Sequence, residues 1–94
     1  MIEINYGYLP DHMRADVRAY VERGTPPGGF LRAVLENRLV GAYGAADDVN
    51  AAFMERWARW LYNECPAGAW GSSEAVDEWI DSGGLVGSEV EARR

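Results

Sequence analysis

The side chains that could carry covalent or metal chemistry are sparse: one histidine, His12, and one cysteine, Cys65. A histidine-assisted nucleophile needs base and nucleophile within hydrogen-bond reach, with a third group orienting the base. Nothing in the sequence brings positions 12 and 65 together. Cys65 precedes Pro66 at the end of a helical pattern, not at a helix N-terminus where a thiol is activated. It reads as a small apolar residue at a helix end. A structural zinc site takes about four Cys or His ligands, twice what this chain holds. No loop alternates acids as a calcium-binding EF-hand does. Gly24 to Gly29 lacks the lysine of a phosphate-binding loop, and the chain has no lysine at all. Gly83-Gly84 to Gly87 follows a helical pattern rather than a strand, so it is no dinucleotide fingerprint. The carboxylate pairs Asp47-Asp48 and Asp77 with Asp81 fit helix caps and solvated faces better than acid–base catalysis. The expectation is a protein that is not an enzyme and uses no cofactor and no metal.

The elements that would position these residues are helical. Met1 to Leu9 alternates Ile2, Ile4, Tyr6 and Tyr8 on one parity, the period of a strand. A strand without a neighbour either lies over the helices as an arm or pairs with another chain. Asp11 is placed to cap a first helix with Met13, Val17, Tyr20 and Val21 on its apolar face, and Gly24 stops it. Thr25 to Gly29 is a rigid Pro/Gly turn. A second helix is predicted from about Gly29 to Tyr43, with Phe30, Leu31, Val34, Leu35 and Ala42 forming a broad apolar arc. Leu39, Val40 and Tyr43 widen that arc, and Arg38 falls inside it, its stem snorkelling or its head paired with an acid or a partner. Asp47 or Asp48 caps a third helix to about Glu64, its core face being Val49, Phe53, Trp57, Trp60 and Leu61. Ser72 or Ser73 caps a short fourth helix to about Ser82, with Val76, Trp79 and Ile80 inward and Gly83-Gly84 ending it. The expected architecture is all-α: a compact three- to four-helix single domain over 11–84. An extended N-terminal arm precedes it at 1–10, and a frayed C-terminal tail follows at 85–94.

Charge narrows the partners. The chain of 94 residues carries a formal charge of −6, concentrated after Glu64, and all its cations are arginine. That argues against wrapping a nucleic-acid backbone and against adhesion to anionic membranes. An acidic surface suits basic protein partners. Arg14, Arg18 and Arg23 share the first helix with the acids Asp11 and Glu22, so no basic stripe supports a DNA-binding regulator. A single cysteine makes no internal disulfide. The first residues lack a signal-peptide pattern, and no apolar run approaches the ~20 residues of a membrane span. An intracellular, reducing location is expected.

Three stretches carry a resemblance: Pro27-Gly28-Gly29-Phe30-Leu31-Arg32-Ala33-Val34-Leu35-Glu36-Asn37, then Ala46-Asp47-Asp48-Val49-Asn50, then Leu61-Tyr62-Asn63 running through Pro66 to Trp70-Gly71-Ser72. Their order and spacing resemble a family of small bacteriophage- and prophage-encoded proteins, over roughly Asp11 to Leu85. The resemblance implies expression in the host bacterial cytoplasm. It also implies an anti-defence role, such as inhibition of a CRISPR–Cas or other nucleic-acid-handling complex by non-catalytic binding. On that reading Glu74, Asp77, Glu78 and Asp81 form the electrostatic face for a basic host protein complex, with Trp70 and Tyr62 as aromatic anchors. The alternative is a self-associating phage structural or accessory protein, pairing through the N-terminal arm.

Overall fold

The computed structural model describes residues 3–87. Among these residues the fold is entirely helical, with more and shorter helices than the apolar periodicity predicts. They are α1 (Asp11–Arg23), α2 (Gly29–Leu35), α3 (Leu39–Ala45), α4 (Asp48–Ala52), α5 (Met54–Asn63) and α6 (Ser73–Ser82). Two single 3₁₀ turns, Tyr6–Tyr8 and Ala67–Ala69, link them, and a last helical stretch covers 84–87.

The N-terminal residues 3–9 do not form an extended arm. Asn5 Oδ1 accepts the Gly7 N–H at 2.8 Å, and the Leu9 N–H donates to the Tyr6 carbonyl at 3.0 Å, closing the turn. The carbonyls a strand would offer to a neighbour are taken by arginines. Arg56 Nε donates to the Tyr8 carbonyl at 2.6 Å and its NH2 group to Gly7 at 3.1 Å. Arg14 Nε donates to the Leu9 carbonyl at 3.0 Å. Tyr6 and Leu9 are buried in the same core as the helices, so no boundary between arm and helical core falls at residue 10.

α1 buries Val17, Tyr20 and Val21 and leaves Arg14 and Arg18 to solvent. Pro10, not Asp11, occupies its N-cap position, and Asp11 stands in the first turn, where a carboxylate favours the helix dipole. Gly24 ends it in the left-handed region (φ 70°), donating to the Tyr20 carbonyl at 2.8 Å.

The long second helix of the sequence reading is two helices. Asn37 has φ 65°, a conformation asparagine tolerates better than most residues. Arg38 then donates back to the Ala33 carbonyl at 2.9 Å and Asn37 to Val34 at 3.1 Å, the backward bonds that terminate a helix. α2 buries Phe30, Leu31, Val34 and Leu35. α3 turns back on α2 and buries only Ala42. Arg38 is therefore not enclosed by the apolar arc; it stands at the junction with its side chain exposed.

The third predicted helix also divides, at Phe53, whose N–H is shared between the Val49 and Asn50 carbonyls at 3.1 Å. Asp47 caps α4, its Oδ1 accepting the Asn50 N–H at 2.7 Å. Because α4 is set off from α5, Val49 is exposed and Phe53 half-buried, whereas Met54, Trp57, Trp60 and Leu61 form the inward face of α5. The Trp57 indole stands edge-on to Phe30 (5.4 Å) and to Trp60 (6.4 Å). Its Nε1–H donates to the buried Asn50 Oδ1 at 3.3 Å.

α6 closes the molecule. Ser72 caps it, Oγ accepting the Ala75 N–H at 3.1 Å, and Val76 is buried beneath it. Trp79 Nε1–H donates to the carbonyls of Tyr20 (3.1 Å) and Val21 (3.2 Å), adding a side-chain donor to the carbonyl end of α1. Here the backbones of α1 and the 84–87 stretch nearly touch. A Cβ on Gly84 would lie 2.6 Å from the Gly24 nitrogen and 2.7 Å from the Val21 carbonyl oxygen. The tail expected at 85–94 does not hold for its first residues: 84–87 is helical and Leu85 packs against the core; positions 88–94 lie outside the described residues.

Gly84 combines that contact with φ 69°. Gly84→Ala is expected to destabilise the fold by about 2 kcal/mol or more through overpacking and left-handed strain. Urea unfolding followed by Trp fluorescence measures this, and a midpoint equal to that of the parent chain would contradict the close approach.

Candidate functional site

The residues with chemical potential are placed apart and put to structural use. Cys65 is buried in the core, and burial pushes its thiol up to about 12. It therefore stays protonated and un-nucleophilic at neutral pH. His12 is exposed at the start of α1, where its Nε2 lies 2.9 Å from Asp47 Oδ2. The Asn50 backbone N–H, and after it the His12 ring, hold the Asp47 carboxyl below the usual carboxylate range. This pair ties the first turn of α1 to the cap of α4. Among the described residues no group of three or more His, Cys, Asp or Glu side chains could hold a metal ion.

The four acids singled out from the sequence lie on one helix. Glu74, Asp77, Glu78 and Asp81 are all exposed on α6. Spaced i, i+3, i+4 and i+7, they fall on one stripe opposite Val76. They are not equivalent. Asp77 is joined to the Arg32 guanidinium, whose Nε also donates to Glu36 Oε2 at 2.8 Å. The Glu36 side chain is only 7% exposed, so this three-residue bridge fixes α6 to α2 as well as spending part of the Asp77 charge. Glu74, Glu78 and Asp81 form no ion pair among the described residues. Asp81 stands in the last turn of α6, where the helix dipole disfavours a carboxylate by a few tenths of a kcal/mol.

The two aromatic candidates separate. Trp70 is half-buried and packs against the core just ahead of the Ser72 cap. The following Gly71 N–H donates to the Leu35 carbonyl at 2.8 Å, which pins this loop to the end of α2. Tyr62 is 84% exposed on α5, a different helix from the one that carries the acids.

Sequence reading missed a second surface. Leu39, Val40 and Tyr43 stand out from α3 into solvent. Beside them a groove is lined by Val34, Ala42, Met54, Trp57 and Leu61. The signal available for it was Asn37, a residue that commonly ends helices in the left-handed conformation.

The lowered Asp47 carboxyl makes a pH prediction. A group depressed in the folded state contributes stability above its unfolded value of ~3.9, and that contribution is lost as pH falls through the carboxylate range. Asp47→Asn keeps a capping oxygen but removes the charge. It is expected to be less stable than the parent at pH 7, with the gap closing by about pH 2. Thermal unfolding at the two pH values measures it; a gap unchanged at low pH would show that the charge contributes nothing.

Comparison of the chain with protein-family models, with curated proteins and with solved structures finds no match.

Proposed function

We propose that this chain is a non-catalytic binding module that sets the acidic face of α6 against a basic surface of a host protein complex. The observation that carries this reading is the stripe of Glu74, Glu78 and Asp81, exposed and outside any ion pair among the described residues. The helix bearing them is held rigidly by the Ser72 cap, the Arg32–Asp77 bridge and the Trp79 indole. Rigid, solvent-facing carboxylates steer encounter with a cationic surface and fix its orientation. Asp81 stands where it opposes its own helix dipole, a charge that serves a partner better than it serves the fold. The finer reading is that of an inhibitor: the acids compete with nucleic acid for the basic surface of a defence complex in the bacterial cytoplasm, in an anti-CRISPR-like manner. It draws on the resemblance to phage-encoded proteins carried by Pro27–Asn37, Ala46–Asn50 and Leu61–Ser72. Self-association by strand pairing loses its basis within residues 3–9, since the carbonyls of Gly7, Tyr8 and Leu9 are already bonded to Arg14 and Arg56.

The test is the double reversal Glu78→Arg/Asp81→Arg. Both side chains are solvent-facing, and cations near a helix C-terminus favour it, so helicity by circular dichroism should be unchanged. Tagged protein is used to capture partners from host cytoplasm at low and moderate salt. A basic nucleic-acid-handling complex should be recovered at low salt, weakened by moderate salt, and lost about tenfold or more with the variant. Recovery that survives the reversal would falsify the α6 face as the docking surface.

A further inference from the structure

Of α1 to α6, α3 alone carries no charge: its seven residues are Leu-Val-Gly-Ala-Tyr-Gly-Ala, and its large apolar side chains stand in solvent. Leu39 is 65% exposed and Val40 84%. Large aliphatic groups left in water forgo the gain of burial. Gly41 and Gly44 are also exposed, and a Cβ on Gly44 would meet nothing within 4 Å, so the outer face is low as well as apolar. Alongside runs the groove floored by Val34, Ala42, Met54, Trp57 and Leu61, with a volume of about 100 Å³. That is of the order of the ~150 Å³ apolar cavity that accommodates benzene, room for a single Leu or Phe side chain.

The rim of the groove is polar at one end, where Asn37 and Arg38 line it. The Arg38 guanidinium is 72% exposed, and its one ion-pair contact among the described residues is a loose 3.6 Å to Glu36. That carboxylate is already held at 2.8 Å by Arg32. Arg38 is thus a cation with unspent donors beside an apolar slot, in a chain that is otherwise acidic. Its planar donor fork suits a carboxylate.

We infer that the α3–α5 groove is a docking site for an amphipathic helix of a partner protein. That helix inserts one bulky apolar side chain between Leu39 and Trp57 and lays an Asp or Glu, about one turn away, over Arg38. The size of the face selects this occupant over a second copy of the chain. A helix of seven residues is about 10 Å long, too small for the ~800 Å² per partner of a stable dimer, but sufficient for the anchor-in-groove mode by which single helices bind. This site is separate from the acidic stripe of α6 and stands or falls without it.

The probe is a displayed library of 16-residue helical peptides, randomised along one face and selected against the full chain. Enriched peptides should carry Leu, Phe or Trp with Asp or Glu within one turn. Leu39→Glu, at a solvent-facing position on the wall of the groove, should weaken their binding by tenfold or more while helicity by circular dichroism is unchanged. Arg38→Glu should reverse the preference of the selected peptides from acids to Lys or Arg. Glu78→Arg/Asp81→Arg should leave peptide binding unchanged, which separates failure here from failure of the α6 reading. The inference is overturned if selection enriches no apolar anchor, or if the enriched peptides bind the Leu39→Glu chain as tightly as the parent. It is also overturned if sedimentation shows the parent to be a dimer that Leu39→Glu dissociates, since the occupant would then be a second copy.

Discussion

Helices of five to thirteen residues have little stability alone, because each must repay the cost of nucleation over few hydrogen bonds. What holds these together is the burial of Trp57 and Trp60, which lie almost wholly out of solvent at the centre of α5. Each indole removes ~150–250 Å² from water, worth about 4–6 kcal/mol at ~25 cal/mol per Å². Around them gather Phe30 from α2 and Tyr6 from the N-terminal turn. The indoles also impose a polar constraint. Trp57 Nε1–H finds Asn50 Oδ1, which ties the placement of α4 to the core and gives the buried asparagine its role. Among the described residues Trp60 Nε1 and the Tyr6 hydroxyl have no hydrogen-bond partner. Burial pushes the Tyr6 hydroxyl up to about 12, so it remains neutral there. The packing gain outweighs the desolvation these two groups suffer.

Short helices leave many backbone groups open at their ends, and side chains from distant positions close them. Trp79 serves the carbonyls of α1, Tyr20 donates its hydroxyl to the Ala69 carbonyl at 2.7 Å, and Arg14 and Arg56 serve the turn at Tyr6–Tyr8. The exclusive use of arginine has a structural expression in the last case. One guanidinium of Arg56 reaches two successive carbonyls, Gly7 and Tyr8, a geometry that a rigid fork of donors provides and an ammonium does not.

Local chemistry was legible where it is governed by neighbouring residues. Gly24 and Gly83 end helices in the left-handed conformation, Ser72 caps α6, and the period of Trp57, Trp60 and Leu61 identifies the buried face of α5. The breaks at Asn37 and Phe53 were not legible. Apolar residues continue at helical spacing across both; the tolerance of Asn37 for the left-handed conformation permits the first break without requiring it, and packing of the flanking helices decides that a turn is better than continuation. The parity of Ile2 to Tyr8 reads as a strand, but a strand requires free carbonyls, and those of Gly7 and Tyr8 are claimed by Arg56, 49 and 48 positions away, and that of Leu9 by Arg14. The candidate site divides in the same way. Exposure of the α6 acids follows from their spacing on one helix, whereas the bridge from Asp77 to Arg32 spans 45 positions and the outward turn of α3 depends on how it folds back over α2.

The two exposed surfaces share α2 as a ridge. Arg32, Glu36, Arg38 and Ser73 line one shallow concavity, running from the rim of the α3 groove to the first residue of α6. Along it, Arg32 is paired with Glu36 and Asp77, which separates an outlying cation at Arg38 from Glu74, Glu78 and Asp81, acids outside any ion pair among the described residues. Charge is therefore segregated along the surface. A partner that spans the ridge must offer an acid beside an apolar side chain at one end and a cationic surface at the other. The reverse placement sets like charges against each other at both ends, which costs more than either contact alone returns. The bridge across α2 thus fixes the spacing of the two surfaces and the orientation in which one partner could meet both.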